Sequence, residues 1–235
     1  MQEMIKELHN QISELPPAAG FTGNLVTNKE RNYFKMKYLE SNNYDPIAII
    51  GIGCRFPGNA HSPQSFWYNL SNGVDAITEV PHDRWSIQRF YGSNKETFKT
   101  STKYGGFVNQ RIELFDALFF GISPREASYI DPMQRWLMET TWEAFEDAGL
   151  VPEQLAGSDT SVFIGCFTED IKLHQMSPFN RELMGSHVAT GSAMTILANR
   201  LSYIFDFHGP NLAVDPPCSS SLVAVTKACE ALSSG

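Results

Sequence analysis

Between Asn211 and Leu232 the chain changes character at one joint. An apolar run suited to a strand (Asn211 to Asp215) meets Pro216-Pro217-Cys218, and an amphipathic run suited to a helix spans Ser219 to Leu232. Pro217 fixes its φ at about −65° and removes a backbone donor, while Pro216 is pushed out of the helical region by the proline after it. Strand and helix are therefore expected to meet at a turn, with Cys218 opening the helix. A thiol there faces unpaired backbone N–H groups and the positive end of the helix dipole. Both favour thiolate, the nucleophilic form. Spacing alone describes a small cysteine that merely packs just as well.

With 235 residues, 42% of them hydrophobic, the chain is long enough to bury a core as one large domain or two small ones. A net charge of −8 argues against nucleic acid, which requires clustered Lys and Arg. Cys54, Cys166, Cys218 and Cys229 stand far apart, with no C-x-x-C pair and no Cys/His cluster of zinc spacing. They read as reduced thiols in a cytoplasmic compartment. Met1 to Leu15 is studded with Glu, Lys, Asn and Gln, unlike a signal peptide, and no apolar run approaches a membrane span.

Met4, Ile5, Leu8, Ile12 and Leu15 recur at helical spacing in a charged leader that ends at Pro16-Pro17. So short a helix is marginal alone. Residues 18–43 are polar and aperiodic, so 1–43 is expected to be a largely disordered leader and linker, with the globular part at 44–235. Pro46 to Ile52 reads as a strand buried on both faces, and Ser65 to Leu70 as a short helix. Residues 73–123 suggest long ordered loops with short strands. Asp131-Pro132 starts the clearest helix, with an N-cap and a proline at the first helical position. Met133, Trp136, Leu137, Thr140, Thr141, Ala144, Phe145 and Ala148 form its apolar stripe, and Gly149 supplies the stop. Ser161 to Phe167 reads as a strand holding Cys166, and Ser192 to Phe205 as a helix. Strands alternating with helices imply an α/β fold with a mixed or largely parallel sheet.

Several motifs fail. Gly51-Ile52-Gly53-Cys54-Arg55-Phe56 mimics a dinucleotide loop but lacks the third glycine and runs into Pro57-Gly58 where a helix should begin. There is no G-x-x-x-x-G-K loop and no G-x-S-x-G elbow. His61, His82, His174, His187 and His208 show no paired-ligand spacing, and nothing singles one out as a partner for a cysteine peptidase.

From Tyr44 onward, a series of blocks resembles the N-terminal half of a β-ketoacyl synthase domain of the modular or iterative polyketide synthase type. In order they are Ile49-Ile50-Gly51-Ile52-Gly53-Cys54-Arg55-Phe56-Pro57-Gly58, Val80-Pro81-His82-Asp83-Arg84-Trp85 and Tyr104-Gly105-Gly106-Phe107. Then come Phe115-Asp116-Ala117-Leu118-Phe119-Phe120-Gly121-Ile122-Ser123-Pro124-Arg125-Glu126-Ala127, Asp131-Pro132-Met133-Gln134-Arg135, Ala198-Asn199-Arg200-Leu201-Ser202-Tyr203 and Cys218-Ser219-Ser220-Ser221-Leu222. The resemblance implies half of a thiolase-like fold, a mixed sheet with flanking helices, ending after the nucleophile helix. It implies that Cys218 is the acyl-thioester nucleophile and that its N–H helps to stabilise the oxyanion. The acyl donor would be the phosphopantetheine arm of an acyl carrier protein. No metal or diffusible cofactor is expected, and the complete domain is expected to form a homodimer away from membrane and nucleic acid.

Two departures qualify that expectation. The family usually has Thr-Ala where Pro216-Pro217 stands, which puts the alignment of Cys218 in question. The family's two histidines and its lysine for decarboxylation match no position here. The resulting expectation is a region that loads an acyl group but condenses only within the complete domain. A non-catalytic dimerising module, a pseudogene product or a simple acyl acceptor are the alternatives.

Overall fold

The computed structural model describes residues 46–93, 96–111 and 113–234; the leader and linker expected over 1–43 lie outside them. Among the described residues the first helix, Pro63–Ser71 (α1), starts at a reciprocal capping box between Ser62 and Ser65. It is followed by Ile77–Glu79 (β1), Ile87–Phe90 (α2), Tyr104–Gly106 (β2) and Pro124–Ala127 (α3). β1 and β2 pair antiparallel within the aromatic and Gly-rich stretch. Next comes Pro132–Ala148 (α4). Asp131 accepts the Met133 N–H as its N-cap, Pro132 occupies the first turn, and Gly149 closes it in the left-handed region at φ 67°.

After the short helix Pro152–Leu155 (α5), the strand Val162–Gly165 (β3) crosses over through Asp170–Gln175 (α6), a 3₁₀ turn at Pro178–Leu183, Val188–Ser192 (α7) and Thr195–Phe205 (α8). The chain returns as Asn211–Val214 (β4), parallel to β3 with Val162 opposite Asn211 and Gly165 opposite Val214. A 3₁₀ turn, Pro217–Ser219, leads into Ser220–Ser234 (α9).

Strand alternation divides the layers. Val162, Ile164 and Ala213 belong to the core with α8 and α4, a cluster of Ile122, Ile130, Met138, Ala198, Leu201, Phe205 and Phe207. Gly165 points to the opposite face, where α9 begins.

Three expectations need correction. Ile47–Ile52 joins no ladder among the described residues. Its backbone lies against α4 instead: a Cβ at Gly51 would overlap the Ala144 carbonyl, and one at Gly53 the Thr140 carbonyl. The Ile52 N–H donates to Asp147 Oδ2 at 2.9 Å, and Ile49 is left 83% exposed.

The helix expected over 192–205 is broken. Ala193 is extended (φ −75°, ψ 134°) between α7 and α8, and within α7 buried Gly191 runs directly over the Tyr129 carbonyl. Finally, the residues of α4 that are fully enclosed are Gln134 and Met138 rather than any of the expected stripe. Met138 enters the core, and Gln134 bonds to Arg200 and to the backbone of residues 190 and 191.

Candidate functional site: the Cys218 turn

Cys218 lies in the 3₁₀ turn rather than in the first turn of α9, which begins two residues later. Pro216 adopts φ −89° and ψ 61°, outside the helical region as a residue before proline must be. Pro217 takes the first position of the turn, where its missing N–H costs nothing. No residue from 215 to 219 has positive φ. The two prolines are therefore accommodated, and the turn holds Cys218 in an exposed position. Because neither proline can donate, the Cys218 N–H is the first backbone donor after that of Asp215.

Four bonds fix the turn, one of them from the Ser220 N–H to the Pro217 carbonyl. The Ser219 N–H donates to the Pro216 carbonyl at 3.0 Å, and Ser219 Oγ to the same oxygen at 2.8 Å. Ser220 Oγ, buried, donates to the Pro217 carbonyl at 2.7 Å. Below them Gly165, the last residue of β3, lets α9 approach the sheet backbone. An added Cβ at Gly165 would stand 2.5 Å from the Ser220 carbonyl carbon and 2.6 Å from the Ser221 nitrogen. Sequence patterning did not single out Gly165. The available signal was a glycine closing a β-branched strand, which marks close backbone approach.

The other thiols have different surroundings. Cys54 and Cys166 are buried, and desolvation is the main cause that pushes both thiols up. For Cys166 the Asp215 and Glu169 carboxylates add to it; for Cys54 the Glu143 carboxylate adds while Arg55 opposes. Cys54 sits in a coil, not after a strand, and Cys166 lies one residue beyond β3, its Sγ 3.4 Å from Met194 Sδ. Cys229, within α9, is half-buried.

Two charged networks tie α4 to neighbouring segments. Arg200 is 8% exposed. It donates from Nε to Gln134 Oε1 at 2.6 Å, from one terminal nitrogen to Glu126 Oε1 at 2.8 Å, and from the other to the Thr190 carbonyl at 3.1 Å. Arg55 pairs both terminal nitrogens with Glu143 of α4 and its Nε with Gln110 at 2.9 Å. Neither network was anticipated from the sequence.

Among the described residues no group of three or more His, Cys, Asp or Glu could hold a metal ion. Of the histidines, His208 pairs with Asp206 at 3.1 Å and His187 stands by the Tyr129 ring. Among the described residues no helix is long and apolar enough to cross a membrane.

The model of the β-ketoacyl synthase N-terminal domain family matches residues 44–235. The chain belongs to this family. Among curated relatives, the β-ketoacyl synthase region is 46% identical over 192 residues to the fusarin C synthetase of Gibberella moniliformis, covering 81% of this chain and 5% of that protein. It is 47% identical over 190 residues to a phenolphthiocerol/phthiocerol polyketide synthase of Mycobacterium tuberculosis, covering 80% of this chain and 12% of that one. The chain thus spans a small part of the relatives it matches.

Among solved structures, an oxazolomycin ketosynthase domain from Streptomyces albus superposes with a TM-score of 0.74 at 38% identity, covering 82% of this chain and 33% of that one. The ketosynthase from module 6 of the Bacillus subtilis bacillaene synthase gives 0.65 at 32%, covering 80% and 29%. The architecture is accordingly the N-terminal half of the thiolase-like fold, an α/β arrangement of strands with flanking helices.

Proposed function

We propose that Cys218 is the acyl-accepting nucleophile of a polyketide-type β-ketoacyl synthase region spanning 44–235, preceded by a leader and linker at 1–43. The observation that carries this reading is the placement of Cys218: an exposed thiol on a fixed turn between a parallel strand and the helix it feeds, while Cys54 and Cys166 are buried. The thiolate attacks the carbonyl carbon of an acyl thioester on the phosphopantetheine arm of an acyl carrier protein. A tetrahedral oxyanion forms, helped by the Cys218 N–H. It then collapses with breakage of the donor C–S bond, so the arm leaves as thiolate and takes up a proton while the acyl group stays on Cys218. Phosphopantetheine enters as a substrate carrier and leaves with its carrier protein.

Decarboxylative condensation with a malonyl-type extender belongs to the complete, homodimeric domain, since the family's histidines and lysine for that step match no position among these residues. Incubation with a radiolabelled acyl thioester tests the first step. Label should appear on the wild type and be lost in Cys218→Ala, with no carbon dioxide released from a malonyl thioester. Equal labelling of both proteins would refute the assignment of Cys218.

A further inference from the structure

A second concave site lies away from the Cys218 turn, at the C-terminal end of α8. Its cavity, of about 260 Å³, is walled by Phe119, Phe120, Trp142, Pro152 and Ile204, and Glu153 and Asp206 also line it. No Lys or Arg is among its lining residues. Three independent features make it electronegative. Aromatic faces attract cations through the ring quadrupole. The two carboxylates carry formal charge; Glu153 forms no ion pair among the described residues, while Asp206 Oδ1 also meets His208 Nε2 at 3.1 Å. The last residues of α8, Ile204 and Phe205, border the cavity, so the negative end of that helix's dipole is turned towards it.

The walls are also held in place. The Trp142 Nε1–H donates to Glu146 Oε1 at 2.9 Å. The Phe119 ring stands edge-on to Trp142 at 4.7 Å and 85°, and edge-on to Phe120 at 4.9 Å. Asp206 is held at φ 54° as the cap of α8, and its carbonyl accepts the Gly157 N–H at 2.6 Å. A pre-formed aromatic wall beside two carboxylates matches an ammonium head on an aliphatic stem. Residues adjoining the lining are apolar and exposed, with Leu118 at 73% and Val151 at 47%. Each precedes a lining residue in the chain, Phe119 and Pro152, so apolar residues flanking such a side chain would find apolar neighbours that a free small ion would not use.

We propose that this cavity receives a lysine side chain presented by a segment of a partner protein. The test uses the full chain and follows the Trp142 indole N–H signal by NMR, assigned through Trp142→Phe. The probes are n-butylammonium, the neutral n-butanol, and a short peptide with a lysine between two leucines. Butylammonium should shift the Trp142 signal saturably in the millimolar range, and butanol should not. The peptide should bind at least fivefold tighter, and Glu153→Gln/Asp206→Asn should weaken it at least threefold. Both changes should be compatible with the fold, to be checked by the melting temperature: Glu153 is exposed, Asn tolerates the left-handed backbone at 206, and the Asp206–His208 pair that is altered is solvent-exposed. Equal shifts with butanol, or an unchanged double variant, would overturn the cation site. A peptide no tighter than butylammonium would overturn the partner segment.

Discussion

Gly165→Ala is the sharpest test of how the proposed nucleophile is positioned. The new methyl would lie 2.5 to 2.7 Å from three backbone atoms of Ser220 and Ser221. Ordinary contact begins at 3.4 Å, so the shortfall is about 0.9 Å at the closest atom. Because the obstacles are backbone, no rotamer change relieves them, and α9 must move away from β3 by nearly that amount. Such overpacking typically costs about 1–3 kcal/mol. A misplacement of about 1 Å in a reacting group lowers rate about a hundredfold. Urea denaturation should therefore show a lower midpoint, and acyl loading should fall far more than alkylation by iodoacetamide, which needs exposure but little geometry. Gly73→Ala is the control: its φ is +61° and nothing lies within 4 Å of the added carbon. It should cost about 1 kcal/mol from backbone strain alone and leave loading unchanged. If Gly165→Ala keeps both the wild-type midpoint and loading within twofold, the close approach of α9 to β3 does not position Cys218.

Other outcomes follow from the same structure. Peptide mapping of brief alkylation should find Cys218 modified first and Cys54 and Cys166 only on unfolding; equal rates would contradict their burial. Arg200→Met should destabilise by about 3–5 kcal/mol, since Gln134, Glu126 and the Thr190 carbonyl lose a buried charged donor. Arg200→Lys should recover little of this, because one ammonium cannot reproduce the fork; full recovery in a urea titration would count against the network. Burial raises the Asp131 carboxyl, outweighing the Met133 N–H bond. Its contribution to stability is therefore present below the unfolded-state value and is lost as pH rises through the folded-state value. Asp131→Asn keeps a competent cap and should flatten the melting-temperature profile on that side. A profile steeper than wild type would show the sign to be wrong.

What the sequence made legible was local chemistry with a single outcome. An acidic cap, a proline at the first position and a terminal glycine bracket α4, and the structure keeps those bounds. β3 and β4 also appear where β-branched and apolar runs suggested them. The run Ile47–Ile52 was ambiguous because an apolar stretch has the same composition whether it joins a ladder or lies on a helix. Its glycines at 51 and 53, spaced to lie on one face, were the sign of a backbone pressed against α4. The order strand, Pro-Pro, Cys, helix placed Cys218 within two residues of the start of α9. The partners that hold it were not legible. Gly165 is more than fifty residues away, and Arg200 becomes a buried residue only once α4, α7 and α8 have assembled.

That buried arginine has a consequence for how the helices find one alignment. Apolar contact between α8 and α4 is non-directional, so Leu201, Ala198 and Met138 would tolerate a slide of one helix along the other. The fork of Arg200 does not: Gln134, Glu126 and the Thr190 carbonyl come within reach together in only one setting. The network behaves as a key that selects a single register from several of similar hydrophobic content. Replacing Arg200 and Gln134 together by Met and Leu should then lower the midpoint of unfolding, since Glu126 and the Thr190 carbonyl lose their donors. Under conditions where the fold is fully populated it should also broaden the NMR signals of α8, as a core that is no longer singular.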